Sequence, residues 1–374
     1  MRVDVNQIYT LVNDVFAQTT GRTDIKAVDT GSLVAMGNEL ENLGKMDIWL
    51  NACARRIGKT IDDNRVYRNK FADLYRDDVE WGAMVQKFRV EMPEAKEDDM
   101  AKVGQMDGQS LDHYIISNPV VKQKIFDKET PYSFFITIQD AYLKEAFLNA
   151  GAMNGLLSSI FTKVQNKIEI VLEDLARTAV NNFMLNCVDG QIYHLLTMYN
   201  NRTGKKLTAT QAWYDEAFLR FAIGIMNTVS DKMETMSTVY NAEGVQRFTP
   251  KGMQRCYLLS DFKTNLETQV QYAAFHEKLV DKNADVAVPY WQAVKEGDNI
   301  NDLATVSKIV GTDKTMNNVL GVMFDKEAIG THRQQNRVYT TPINARGAYY
   351  NTFWHENQMW FNDMGENGIV FMLD

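Results

Sequence analysis

The feature that most limits what this chain can fold into is a proline-free run from Ala141 to Leu185. Along it Leu157, Ile160, Val164, Ile168, Val171, Leu172, Leu175 and Phe183 recur at three-to-four spacing, the period of one helical face. This predicts a helix of about nine turns from Ala152 onward, the longest element of the chain. Runs that read as strands lie near both of its ends, which points to an α+β layout with discontinuous domains. The 374 residues, 45% of them hydrophobic, are enough for two or three cores.

Upstream, Ile8, Leu11, Val12, Val15 and Phe16 share a helical face over residues 5 to 17, with Gly21 as a stop. Helical periods resume at Leu33 and run to Ile57, ending at Gly58. From Val79 the stretch VEWGAMVQKFRVEMPEA reads as an extended strand, and VVKQKIFDKETPYSFFITIQD, residues 120 to 140, as its return. Between them lies an acidic run from Glu94 to Asp99, by default a solvated turn. An isolated hairpin is marginal in water, so this ribbon must lie on something else, and another subunit is one candidate. Downstream, TQAWYDEAFLRFAIGIMNTVSDKM reads as a helix, RCYLLSD as a buried strand entering a helix at Asp261, and ATVSKIVG as a strand. VLGVMFD, NRVYTTP, AYYNTFWHE and NGIVFML read as strands separated by turns.

A net charge of −8 and a pI near 5.3 argue against a surface that binds by neutralising phosphates. Asp4 and Asp14 interrupt the first 20 residues, and no 18 apolar residues run together, so neither a signal peptide nor a membrane span is expected. The expected place of synthesis and assembly is the cytoplasm. Cys53, Cys187 and Cys256 form no CxxC pair and read as reduced core thiols.

Motifs that carry chemistry fail on their spacing. His355 and Glu356 start an HExxH pattern, but Met359 stands where the second His belongs. Gly204 and Lys205 resemble the tail of a phosphate loop, yet Tyr199 replaces its first Gly and Lys206 its Ser or Thr. The stretch from Asp281 has carboxylates at calcium-loop positions, with Val286 for the required Gly and Gln292 for the bidentate Glu. Gly151 and Gly155 open a soluble helix rather than pair in a membrane span. His113, His194, His276, His332 and His355 lack partners at ligand spacing. No catalytic, cofactor-binding or metal site is therefore assigned, and no cofactor is expected. The aromatic cluster of Tyr349, Tyr350, Phe353, Trp354, Trp360 and Phe361 could stack bases, but only Arg346 is nearby. Bulky residues alternate on both faces of this run, so it reads as a strand covered on two sides.

Several blocks, in one order, resemble the major capsid proteins of tailed bacteriophages, which share the Hong Kong 97-type fold. They are ARRIGKTI, VEMPE, FFITIQDAYLKEAFLNAG leading to SSI, CYLLSDFKTNLE, VMFDKEAIG and NARGAYYNTFW. The nearest likeness is to head proteins of small short-tailed phages of Gram-positive hosts, and the resemblance covers most of the chain, from about residue 33 to 371. The resemblance implies an N-terminal arm over 1–75 and an extended loop over 76–138 that lies on a neighbouring subunit. It implies a peripheral domain from 139–190 and 319–374, built on the long helix as its spine, and an axial domain from 191–318.

The function implied is structural, not enzymatic: self-assembly of pentamers and hexamers into an icosahedral virion shell around double-stranded DNA. The implied partners are further copies of the chain, a separate scaffolding protein and a portal, with no sequence-specific DNA binding and no membrane. The sequence stops at Asp374 without the immunoglobulin-like domain some relatives carry, so decoration by such a domain is not expected. The covalent crosslink of the fold's type member has no matching residues here. An encapsulin-like compartment around cargo enzymes is the alternative, and an enzyme using His355 and Glu356 is a third reading.

Overall fold

The computed structural model describes residues 5–52, 67–76, 85–95, 98, 114, 116–146, 150–270, 286–292, 299–333 and 337–374. The ARRIGKTI block, Cys53, His113, His276, part of the acidic run and the carboxylates Asp281 and Asp285 lie outside them.

The first helix, α1 (Val5–Thr20), stops where expected: Gly21 has φ +75°, and its amide donates to the Ala17 carbonyl at 2.9 Å. In α2 (Thr30–Asn42), Asp29 caps the N-terminus by accepting from the Ser32 amide. The single helix expected from Leu33 to Ile57 is interrupted. Gly44 turns left-handed at φ +61°, the Lys45 amide reaches back to the Leu40 carbonyl at 3.1 Å, and α3 (residues 46–52) begins afresh.

Next come β1 (Tyr75–Arg76), β2 (Val85–Val90), β3 (Val121–Phe126), β4 (Glu129–Gln139), α4 (Asp140–Ala146) and α5 (Ala150–Leu185). The last is the long helix expected from the sequence, 36 residues in length. The return strand, however, is divided. Only β3 runs back along β2, from Val90↔Val121 to Val85↔Phe126. β4 pairs instead with a distant strand near the C-terminus, where Phe134, Ile136 and Ile138 join the core that holds Tyr350 and Trp354.

Beyond α5 lie β5 (Ile192–His194), α6 (Leu195–Thr203), α7 (Ala209–Ala212) and α8 (Glu216–Met233). The one helix expected over 210–233 is thus two, because the Asp215 carboxylate accepts the Phe218 amide at 2.7 Å and starts a new N-terminus. β6 (Gln254–Leu259) runs into α9 (Ser260–Asn265) as expected, followed by β7 (Val286–Val288). ATVSKIVG is mostly not strand. Asp302 caps a helical turn, α10 (Leu303–Val306), and only β8 (Ile309–Val310) is extended, pairing with β9 (Thr315–Met316). The chain closes with β10 (Val319–Asp325), β11 (Ile329–Arg333), β12 (Arg337–Thr340), β13 (Tyr349–Asn362) and β14 (Gly368–Met372).

Two five-stranded sheets organise these elements. In the first, β13 is central: β4 lies along one edge over Tyr349–Met359, while β11 and β12 share the other. β1 adds to β11 in parallel. The second sheet has the order β5-β14-β10-β6-β7. The strands after residue 318 divide between the two sheets. β11, β12 and β13 join the first sheet, whereas β10 and β14 form the middle of the second.

Each sheet has its own core, and α5 runs through both. Val164, Ile168 and Leu172 pack with α1, α2, Tyr350 and Trp354; Ala176, Val180 and Phe183 pack with the second sheet. The step from one core to the other is polar. On α5 it holds Glu173 and Arg177, both buried, and on β13 it holds buried Glu356 and Gln358.

Candidate assembly surface

The residues tested for chemistry do not converge. His355 and Glu356 are neighbours on β13 and so face opposite ways: His355 is exposed between the rings of Tyr339 and Phe353, and Glu356 is buried. Gly204 is the left-handed cap of α6, and Lys205 donates to the Tyr199 hydroxyl at 3.0 Å. His194 contacts Asp374 at 2.7 Å. Cys187 is buried, which pushes its thiol pKa up to about 12 and keeps it protonated. Among the described residues no metal-ligating cluster occurs, and no helix is long and apolar enough to cross a membrane.

The informative geometry is that of the β2-β3 ribbon. Directly opposed residues share a face, so Lys87 with Lys124 and Arg89 with Lys122 stack like charges on one side. Of these, Lys87, Arg89 and Lys124 turn inward onto the connection between β13 and β14, while Lys122 is exposed and pairs with Glu91 at 2.6 Å. Arg89 contacts Asp363 at 2.8 Å, Glu366 at 3.0 Å and Glu243 at 3.3 Å. Lys87 reaches Asp363 at 3.1 Å and the Glu327 carbonyl at 2.6 Å. Lys124 reaches Asp363 at 2.8 Å and also pairs with Glu243. Arg247 adds a fourth cation on Glu366 at 2.9 Å.

Asp363 at the centre has no exposed side-chain surface. Burial alone pushes its pKa up; the Lys124 hydrogen bond and the charges of Lys87, Arg89 and Lys124 overcome this and hold it down at about 2. A ring contact between Phe126 and Phe361, with centroids 5.0 Å apart, completes the seat.

The outward side of the ribbon is Gln86, Phe88, Val90, Val121, Gln123 and Ile125, without a charge. Phe88 is 65% exposed and Ile125 50%. This is the reverse of an ordinary surface hairpin, in which the charges face water. A second exposed group lies on the outer face of the first sheet. Phe135 stacks on Phe353 at 5.8 Å, flanked by His355 and Tyr339, and Phe135 is 65% exposed. The aromatic run 349–361 thus has the two roles of a two-faced strand: Tyr350 and Trp354 pack toward α5, and Phe353 faces out.

Alternation of Lys87 and Arg89 with Phe88 and Val90 is visible in the sequence as a period of two, but the period alone does not say which face turns inward. Its acidic counterparts follow more than 230 residues later in the case of Asp363, beyond any local pattern.

Comparison with known proteins bears on what such exposed apolar faces meet. No curated protein matches the chain. Among solved structures, the capsid of Staphylococcus phage Andhra is 11% identical with a TM-score of 0.52, over 82% of this chain and 84% of that one. A chain from a structure of native bacteriophage P68, described for its head fiber and inner core protein, is 10% identical with a TM-score of 0.50, over 82% and 85%. At such identities the likeness speaks for the fold, and it agrees with the α+β, Hong Kong 97-type architecture expected from the sequence. The Phi29-like phage major capsid protein family matches residues 11–372, nearly the whole chain. This chain belongs to that family and is a structural protein of a phage capsid.

Proposed function

We propose that this protein forms the wall of an icosahedral phage head around double-stranded DNA, with a separate scaffolding protein and a portal as assembly partners. The observation that carries the proposal is the family match over residues 11–372, joined to two exposed apolar faces that a lone subunit leaves uncovered. Identical copies with head-to-tail contacts close into rings and, with curvature, into a shell. The wall encloses DNA without gripping it: a net charge of −8 gives weak repulsion in which the polymer slides during packaging. The chain acts by assembly and carries out no chemistry on a substrate, in keeping with His355 and Glu356 on opposite faces of one strand.

Within this reading residues 1–75 are the arm, and the ribbon of β2 and β3 is the core of the extended loop, whose return passes into the body at β4. The first sheet with the N-terminal half of α5 forms the peripheral domain. The second sheet forms the axial domain, and it draws β10 and β14 from the C-terminal segment. Assembly takes place in the host cytoplasm.

Electron microscopy of the protein, purified alone and co-produced with the scaffolding protein of its phage, tests the proposal. Closed shells or five- and six-membered capsomers are expected. A protein that stays monomeric across concentration, ionic strength and scaffold would overturn it.

A further inference from the structure

We propose that the acidic turn after β13, together with Glu243, is a clamp that holds the ribbon of the same subunit, and that this clamp stays closed in cis after assembly. The neighbouring copy then meets only the uncharged face of the ribbon. The second half of this proposal rests on the shell reading; the first half does not.

Four features favour a closed clamp. Lys87 and Lys124, directly opposite one another, repel across the ribbon unless carboxylates stand against both, whereas exposed Lys122 pairs with Glu91 outside the clamp. Lifting the ribbon would part Asp363 from three cations at once, breaking charge-assisted hydrogen bonds of the stronger kind. The base of the ribbon is tethered beside the turn, since only Asp127 and Lys128 separate β3 from β4, and β4 is paired to β13 along eleven positions. The turn is also shaped around its guest. A β-carbon at Gly365 would meet the Arg89 guanidinium and the Glu243 carboxylate, so both side-chain ends lie directly against the turn and would have to shift for a larger residue.

The charges facing Asp363 come from every element around it: Lys87 and Arg89 from β2, Lys124 from β3, Glu366 from the turn itself, and Glu243 and Arg247 from the loop after α8. Three of the four cations lie on the ribbon, so the ribbon supplies most of the neutralising charge. The outer face opposite them offers Phe88, Val90, Val121 and Ile125 and no ion, so a neighbour seated there desolvates no charge of the ribbon.

A carbodiimide, which joins a lysine to a carboxylate only when the two are in contact, reads the clamp directly. In the unassembled subunit it should link Lys124 to Glu243 or Asp363, identified by mass spectrometry. In shells built from an equal mixture of 14N and 15N subunits, those linked peptides should carry one label only. Mixed-label peptides as the main product would show the ribbon clamped by a neighbour and overturn the cis assignment.

Hydrogen exchange on the subunit supplies the independent arm. Asp363→Asn should speed exchange of the β2 and β3 amides about tenfold. Lys124→Glu should do the same, and adding Glu243→Lys should restore protection. No Lys124 link in the wild-type subunit, with ribbon amides exchanging as in a free hairpin, would refute the clamp whether or not shells form.

Discussion

Arg177→Ala should destabilise the subunit by about 3–5 kcal/mol, the usual result of removing one partner of a buried pair. The guanidinium is almost completely buried on α5, donates to Glu173 at 2.7 Å and to Asp174 at 3.0 Å, and lies 4.5 Å over the Tyr290 ring. Without it, buried Glu173 keeps the Tyr67 hydroxyl at 2.7 Å and a long contact to the Lys70 amide at 3.4 Å, but no cation. Those two residues belong to the segment that leads into β1, so the loss should loosen the arm as well as the helix.

In a urea titration followed by tryptophan fluorescence, a slope of about 2 kcal/mol/M places the midpoint roughly 1.5–2.5 M lower. The double change Glu173→Leu with Arg177→Met replaces the pair by apolar side chains and should cost less than about 1 kcal/mol. A midpoint for Arg177→Ala within about 0.3 M of wild type would refute the reasoning, because it would mean that Glu173 is hydrated and the junction between the two cores is open to solvent.

Other expectations follow from the same structure. Asp363 has its folded pKa held at about 2, below the ordinary 3.8, so its contribution is complete above pH 4 and is lost as the pH falls toward 2. The loss is at most about 2.5 kcal/mol, seen as the part of the acid-induced fall in the unfolding midpoint that Asp363→Asn removes. Val85 and Phe126 are cross-strand partners, so their Cα atoms are about 5 Å apart. Replacing 85–126 with a short Gly-Ser linker should then leave a folded subunit, by circular dichroism, that forms no shells. Phe88→Ser with Ile125→Ser should leave subunit stability unchanged and weaken each contact between copies by roughly 2 kcal/mol, raising the critical concentration for assembly in light scattering. Gly44→Ala forces a β-carbon into the left-handed turn after α2 and should cost about 1 kcal/mol in thermal unfolding.

Elements with a strong local signal were legible in the sequence. The period of the apolar positions revealed α5, Gly21 marked the end of α1, and RCYLLSD showed a strand entering a helix. Where a single residue reset the backbone the reading was too coarse: Gly44, Asp215 and Asp302 each divide a segment that periodicity alone runs together. Partners distant in the chain were not legible at all. Nothing local in FFITIQ tells β4 to leave β3 and pair with β13, and nothing in VLGVMFD or GIVFML places β10 and β14 in the second sheet. The clamp was half visible, in the alternation of Lys87 and Arg89 with Phe88 and Val90. Its meaning depends on Asp363 and Glu366, which only folding brings near.

A density map of the assembled shell at side-chain resolution tests the central claim most directly. In it Lys87, Arg89 and Lys124 should sit on Asp363, Glu366 and Glu243 of the same subunit, with Phe88, Val90 and Ile125 covered by an adjacent copy. A shell in which those three cations face another copy's acidic turn, or in which the apolar face stays bare to solvent, would contradict it.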